Sequence, residues 1–165
     1  MKRLAIAMAM GSLTACGGDS PSAPTPPANI AGSYNVSVTA SSSCSASLPA
    51  DARALVFVST VTQAGAAVQM ELLDHQGDTG TVSGTVSGQT VNFPSWALSE
   101  SLGNGATLAA SGSASVVTAN RLTGTLSGTY QTPSGSSCNA ANHQLEMVKL
   151  CLQPTANGTA LLPCP

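Results

Sequence analysis

The chain has 165 residues, of which only five are basic and seven acidic, so its formal net charge is −2. Because the basic residues are few and form no cluster, the composition argues against a nucleic-acid partner. The length suits a single domain, and the scarcity of charge leaves serine and threonine to make its surface polar.

The first sixteen residues have the layout of an export signal. Lys2 and Arg3 precede a short apolar stretch over residues 4–10, well below the ~20 residues that a helix needs to cross a bilayer. Residues 13–16 (LTAC) follow, and they resemble a bacterial lipobox. That resemblance implies cleavage before Cys16 and lipidation of its thiol. The alternative is a plain secretory signal in which Cys16 is an ordinary thiol.

Lipidation of Cys16 implies both a compartment and a domain organisation. Bacterial lipoproteins carry two or three acyl chains, which anchor stably because each buried CH₂ contributes about 0.8 kcal/mol. The resemblance also implies that Gly17, where an aspartate would retain the protein in the inner membrane, favours the outer membrane. We therefore predict a signal peptide over residues 1–15, a lipidated tether over 16–29 and a folded domain that faces the periplasm or the cell surface. The tether is rich in glycine, serine and proline, which favour an extended spacer.

Apolar and polar residues alternate along most of residues 30–150, which is the pattern of half-buried strands. The pattern predicts eight strands and no helix. Their approximate ranges are 32–40, 54–62, 67–73, 80–86, a short fifth strand that contains Val91 and Phe93 and ends at Pro94, 106–117, 121–130 and 142–150. Short turns between most of them favour an all-β fold, an antiparallel up-and-down barrel of about eight strands, because closure removes sheet edges. A flattened β-sandwich is the alternative.

The strand count and order resemble those of lipocalin-like, calycin-type barrels, although residues 32–34 (GSY) stand where lipocalins carry G-x-W. Barrels of this size either fill their interior with side chains or hold one small ligand. Candidate cavity residues, all on inward positions, are Tyr34, Val36, Val82, Leu108, Ala110, Leu126 and His143. Glycines also occupy inward positions, where they fit equally a ligand cavity and the sharp bending that closure requires.

The polarity of the strands opposes a transmembrane barrel. Such barrels are apolar outside and polar inside, whereas this apolar set suits a closed interior and the opposite face is mostly serine and threonine. We therefore predict a barrel that a lipid holds at the membrane.

Four cysteines remain if Cys16 carries lipid, and an even number in an exported chain predicts two disulfides. Three connectivities exist, and we favour Cys44–Cys138 with Cys151–Cys164. Cys44 follows the first strand and Cys138 precedes the last, and these strands are neighbours if the sheet closes. The second pair would close a C-terminal tail over residues 151–165. No C-x-x-C pair occurs, so we predict no metal site and no cofactor.

Few residues suggest chemistry. His143 has two interpretations: a donor or general base at a pocket mouth, or a ring that caps the barrel through hydrogen bonds to loop backbone. Trp96, in a looser segment after the fifth strand, has three interpretations: a lid, an exposed binding residue or a plug at one barrel end. No G-x-S-x-G motif occurs, and no nucleophile, base and orienting group can be assembled, so we do not expect an enzyme. Two functions remain: a lipoprotein that binds a small apolar ligand in its barrel, or a structural or protein-interaction module with a packed interior.

Overall fold

A computed structural model describes residues 25–73, 79–102, 106–132, 134–156 and 158–165. Two short 3₁₀ turns, Ser42–Ala46 and Ala50–Ala52, follow the first strand. No helix within the described ranges has the length and apolar character needed to cross a membrane. The strands are β1 (Gly32–Thr39), β2 (Ala54–Ala64), β3 (Ala67–Leu73), β4 (Thr79–Ser87), β5 (Thr90–Leu102), β6 (Ala106–Thr118), β7 (Arg121–Gln131), β8 (Ser137–Thr155) and β9 (Gly158–Pro163).

The first eight strands form a closed antiparallel up-and-down barrel. Each strand pairs with the next along the chain, and β1 also pairs with β8 from Ser33 opposite Leu150 to Thr39 opposite Gln144. This closure confirms the predicted all-β barrel and excludes the flattened sandwich. β9 pairs with β8 and extends the sheet by one strand.

The alternation of apolar residues sets which face of each strand lies inside. In β2, Leu55, Phe57 and Val61 are buried, whereas Val56 and Val58 between them are exposed. Because a slip of one residue would move the whole apolar set to the solvent side, the register of such a strand is strongly specified. The inward side chains of all eight barrel strands form one hydrophobic core.

The strands differ from the sequence-based prediction at β5, β8 and β9. β5 continues past Pro94, because the pairing of β5 with β6 shifts register between Phe93 and Trp96. A bulge leaves a residue outside the ladder, so the missing N–H of proline costs no ladder hydrogen bond there. β8 continues beyond residue 150 because β9, which the alternation pattern did not reveal, pairs with it from Leu150 to Thr155.

Glycines allow β6 and β7 to approach each other closely. A Cβ built on Gly112 would overlap the carbonyl of Thr125, and one on Gly124 would overlap the carbonyl of Ser113. Gly128 faces the backbone of β6 in the same way. These glycines therefore allow close contact between the two strands.

The segment before β1 closes one end of the barrel, which we call the tether end. The Ala28 N–H donates to the Gly88 carbonyl, and the Ile30 N–H donates to Gln63 Oε1, each at 2.8 Å. Ile30 belongs to the core, and its carbonyl accepts a hydrogen bond from the Tyr34 hydroxyl at 2.8 Å. The chain therefore enters the barrel across this end.

Candidate functional site: the barrel interior and the disulfide end

Residues 40–53 cover the opposite end of the barrel, which we call the disulfide end. Cys44, in the first 3₁₀ turn, is bonded to Cys138 at the start of β8, with their Cα atoms 5.6 Å apart. Leu48 is buried in the core. Arg53 holds the segment in place, since its Nε donates to the Leu48 carbonyl at 2.9 Å and its Nη2 to the Ser45 carbonyl at 2.8 Å. This disulfide is the one that the sequence analysis favoured.

His143 joins this covering segment to two barrel strands. The Ser41 N–H donates to His143 Nδ1 at 3.1 Å, and His143 Nε2 lies 3.0 Å from the Gly128 carbonyl. Because Nδ1 accepts a hydrogen bond, the ring proton is on Nε2, which donates to that carbonyl. The Ser41 hydroxyl adds a 2.7 Å hydrogen bond to Asn142 Oδ1. Both ring nitrogens are engaged with backbone, which is the capping arrangement.

The seven candidate cavity residues lie together on the inner face. Tyr34, Val36, Val82, Leu108 and Leu126 are buried in the single core. His143 is buried as well, and Ala110 is partly buried against the same core. Other large, fully buried side chains share the interior with them, which are Trp96, Tyr130, Phe57, Phe93, Met70, Leu72, Leu122, Leu145 and Met147.

Trp96 is completely buried inside the barrel. Its ring packs edge-to-face against Phe93, with centroids 5.2 Å apart and an interplanar angle of 78°. The residue therefore fills the interior and does not form an exposed binding surface. Concavities of about 400, 220 and 260 Å³ that the described residues line lie along β2, β3 and β4, and no candidate cavity residue lines these three.

Three buried polar atoms in the interior have no hydrogen-bond partner within the described ranges. They are Ser59 Oγ, Trp96 Nε1 and the Tyr130 hydroxyl oxygen. An unsatisfied buried group costs about 1–3 kcal/mol, and a bound water or ligand is the usual partner for such groups. Burial raises the pKa of the Tyr130 phenol, and it also raises that of Tyr34. Sequence reasoning missed Ser59, although its place between inward Phe57 and Val61 is the signal that identifies it.

The outer surface of β6 and β7 is a ladder of hydroxyl groups. Ser113 lies opposite Thr125, and Ser115 lies opposite Thr123. Beside the ladder, Arg121 Nε and Glu146 Oε1 form a 2.7 Å ion pair between exposed side chains. The two charges of this ion pair balance each other beside the hydroxyl ladder.

The second disulfide joins Cys151 to Cys164, with Cα atoms 5.0 Å apart, and closes the hairpin of β8 and β9. The proposed lipidation site, Cys16, lies outside the described residues. In the part of the chain that the structure describes, no group of three or more His, Cys, Asp or Glu side chains is placed to hold a metal ion. Comparison of the chain with protein-family models, curated proteins and solved structures gives no match.

Proposed function

We propose that this chain is a lipid-anchored lipoprotein of the bacterial envelope whose barrel acts without catalysis, as a structural or protein-interaction module. The packed interior is the observation that carries the proposal. Trp96, Tyr130, Phe57 and Phe93 point into the barrel and are buried together with the candidate cavity residues. A barrel whose interior is occupied by its own side chains offers its outer faces, loops and ends to other molecules.

The anchor and the compartment are supported by the first residues of the chain and by its two disulfides. The LTAC run at residues 13–16 resembles a lipobox. Two disulfides, Cys44–Cys138 and Cys151–Cys164, are typical of proteins in oxidising compartments such as the periplasm and the cell surface. We place the protein at the outer membrane, where Gly17 following the lipidated cysteine would direct it.

The absence of catalysis is supported by the state of the strongest candidate base. His143 accepts from the Ser41 N–H and donates to the Gly128 carbonyl, so neither ring nitrogen is free to accept a substrate proton. Its hydrogen bonds fix the covering segment to the barrel, which is a structural role.

Intact mass spectrometry of the chain isolated from the membranes of its own cells tests the proposal. We expect residues 16–165 with an acylated Cys16, lighter than the reduced chain by the four hydrogens that two disulfides remove. In native conditions no further mass should accompany the chain. The control is Cys16→Ser, which should leave the membrane fraction. A mature chain whose Cys16 carries no acyl group would refute the anchor.

A second candidate function is the binding of a small, largely apolar molecule inside the barrel. The buried polar atoms of Ser59, Trp96 and Tyr130 favour it, because they have no hydrogen-bond partner among the described residues and polar groups of a bound ligand are one kind of partner for such atoms. A reproducible extra mass that is released on denaturation would establish this function and refute the packed module. Ser59→Ala and Tyr130→Phe should then reduce the fraction of chain that retains the ligand.

A further inference from the structure

The hairpin formed by the end of β8 and by β9 extends beyond the barrel, and we call residues 150–156 and 158–163 the terminal hairpin. β1 pairs with β8 only as far as Leu150, and from there to Thr155 the partner of β8 is β9. Five residues of strand span about 17 Å at ~3.3 Å each. No charged side chain occurs from residue 150 to residue 165. The terminal hairpin is therefore an uncharged projection held together by the Cys151–Cys164 disulfide.

The terminal hairpin exposes three leucines that the core does not use. Leu152 is 73% exposed, Leu161 is 49% exposed and Leu162 is 40% exposed. Leu152 and Leu161 are directly opposite each other and share one face, whereas Leu162 lies opposite Cys151 on the other face. Contiguous exposed apolar surface marks contacts with a protein or a membrane, and the opposed pair Leu152 and Leu161 forms such a surface on one face.

The terminal hairpin projects from the tether end. β8 leaves the barrel at this end, and the Pro165 carbonyl accepts a hydrogen bond from Asn120 Nδ2 in the turn between β6 and β7. The chain enters at the same end through Ala28 and Ile30. Residues 16–27 span at most about 40 Å when fully extended. A lipid on Cys16 therefore keeps this end of the barrel, with its exposed leucines, close to the bilayer.

We propose that the terminal hairpin lies in the interface of the membrane that anchors the protein, with its exposed leucines at the level of the lipid headgroups and upper acyl chains. The proposal rests on the lipid anchor of the proposed function. A bilayer surface fits the terminal hairpin better than a second copy does, because leucines are exposed on both faces and edge-to-edge pairing would cover neither. The outer edge of β9 pairs with no described strand, and unpaired backbone does not enter hydrocarbon, so the contact is interfacial.

Tryptophan fluorescence with brominated lipids tests the contact. The lipidated full chain carrying Leu161→Trp is reconstituted in vesicles of phosphatidylethanolamine and phosphatidylglycerol with brominated acyl chains. The matched control is Leu73→Trp. The native Leu73 side chain is 43% exposed and lies at the last residue of β3, on the disulfide end of the barrel. The native Trp96 is buried in the barrel and gives the same background in both chains. We expect brominated lipids to quench the added fluorescence of Leu161→Trp and to leave Leu73→Trp unchanged.

A second experiment, in which the chain is attached to the vesicles without its own lipid, tests the hairpin contact independently of the lipid anchor. The mature chain with Cys16→Ser and an N-terminal hexahistidine is bound to the same vesicles through a nickel-chelating lipid. Quenching of Leu161→Trp here supports the hairpin contact even where mass spectrometry finds no acyl chain on Cys16. Absence of quenching in this arrangement overturns the proposal, whatever the state of Cys16.

Two further measurements show whether the terminal hairpin contacts the membrane or a second copy of the chain. Adding Leu152→Asp to Leu161→Trp should abolish the quenching, because a carboxylate opposite the probe opposes burial in the interface. Melting temperatures equal to that of the unmodified chain would show that both substitutions leave the barrel folded. A blue shift of Leu161→Trp that grows with protein concentration without vesicles, together with a sedimenting dimer, would assign the surface to a second copy and overturn the proposal.

Discussion

Removal of the Cys44–Cys138 disulfide should destabilise the barrel far more than removal of Cys151–Cys164. Each bond is removed by a pair of Cys→Ala substitutions, so that no free thiol remains. The first bond joins residues 94 apart and the second joins residues 13 apart. In the chain-entropy model, these closures stabilise the folded state by about 4.7 and about 3 kcal/mol at 25 °C.

The positions of the two disulfides in the fold increase the expected difference in stability between the two variants. Cys44 is buried, and its bond fastens residues 40–53 over the disulfide end, where Leu48 enters the core. Cys151 and Cys164 lie in the terminal hairpin, outside the closed part of the sheet. Loss of their bond allows the hairpin to open while the barrel stays folded, so the free energy of global unfolding should change by less than the loop model gives.

Calorimetry and urea unfolding monitored by circular dichroism measure the effect. In a domain of this size, 1 kcal/mol shifts the melting temperature by roughly 4 °C, so we expect a decrease of about 10–20 °C for Cys44→Ala/Cys138→Ala. The decrease for Cys151→Ala/Cys164→Ala should be under about 5 °C, with faster amide exchange confined to residues 150–163. Equal decreases, or a larger one for the second pair, would refute the reasoning from loop length and burial.

Three other predictions address packing inside the barrel. Gly124→Ala should lower the free energy of unfolding in urea by about 1–3 kcal/mol, because the added Cβ would overlap the backbone of β6. The neighbouring control, Thr123→Ala, should change that free energy by less than about 1 kcal/mol. Equal effects of the two substitutions would contradict the close approach of β6 and β7. Burial raises the pKa of Tyr34 and Tyr130 above 10.0, so the stability that their neutral forms maintain is complete below pH 10 and falls at higher pH. Phenolate absorbance should therefore appear together with unfolding, and phenolate forming in a folded chain near pH 10 would contradict this. Trp96 should resist acrylamide quenching until the chain unfolds, and ready quenching of the native protein would contradict its burial.

The inward face of a strand could be predicted from the sequence wherever the core covers only one side of that strand. The alternation in β3 predicts inward Val68, Met70 and Leu72, and all three are buried. Period two identifies the inner face without any knowledge of the neighbouring strands. The continuation of β5 past Pro94 could not be predicted from the alternation pattern, because the bulge depends on how β5 pairs with β6. β9 was missed because it stands outside the core, so no alternation of buried residues marks it.

At the candidate site, the alternation of inward and outward positions along each strand predicted which residues face the interior, but it did not determine their roles. His143 was predicted to lie on the inner face, yet its capping role depends on the Ser41 N–H, 102 residues away in the chain. The role of Gly124 was open for the same reason, since it is decided by the carbonyl of Ser113 on the facing strand.

The sequence by itself determined the all-β class, the inner faces of most strands and, through the placement of four cysteines around the first and last strands, the favoured disulfide pairing. These follow from patterns within one strand or from the order of strands along the chain. Only the tertiary structure decided that Trp96 fills the interior, that Ser59 is buried with no partner among the described residues and that the terminal hairpin projects from the tether end. Those outcomes depend on which side chains from distant strands meet, and packing of that kind has no local signature in the sequence.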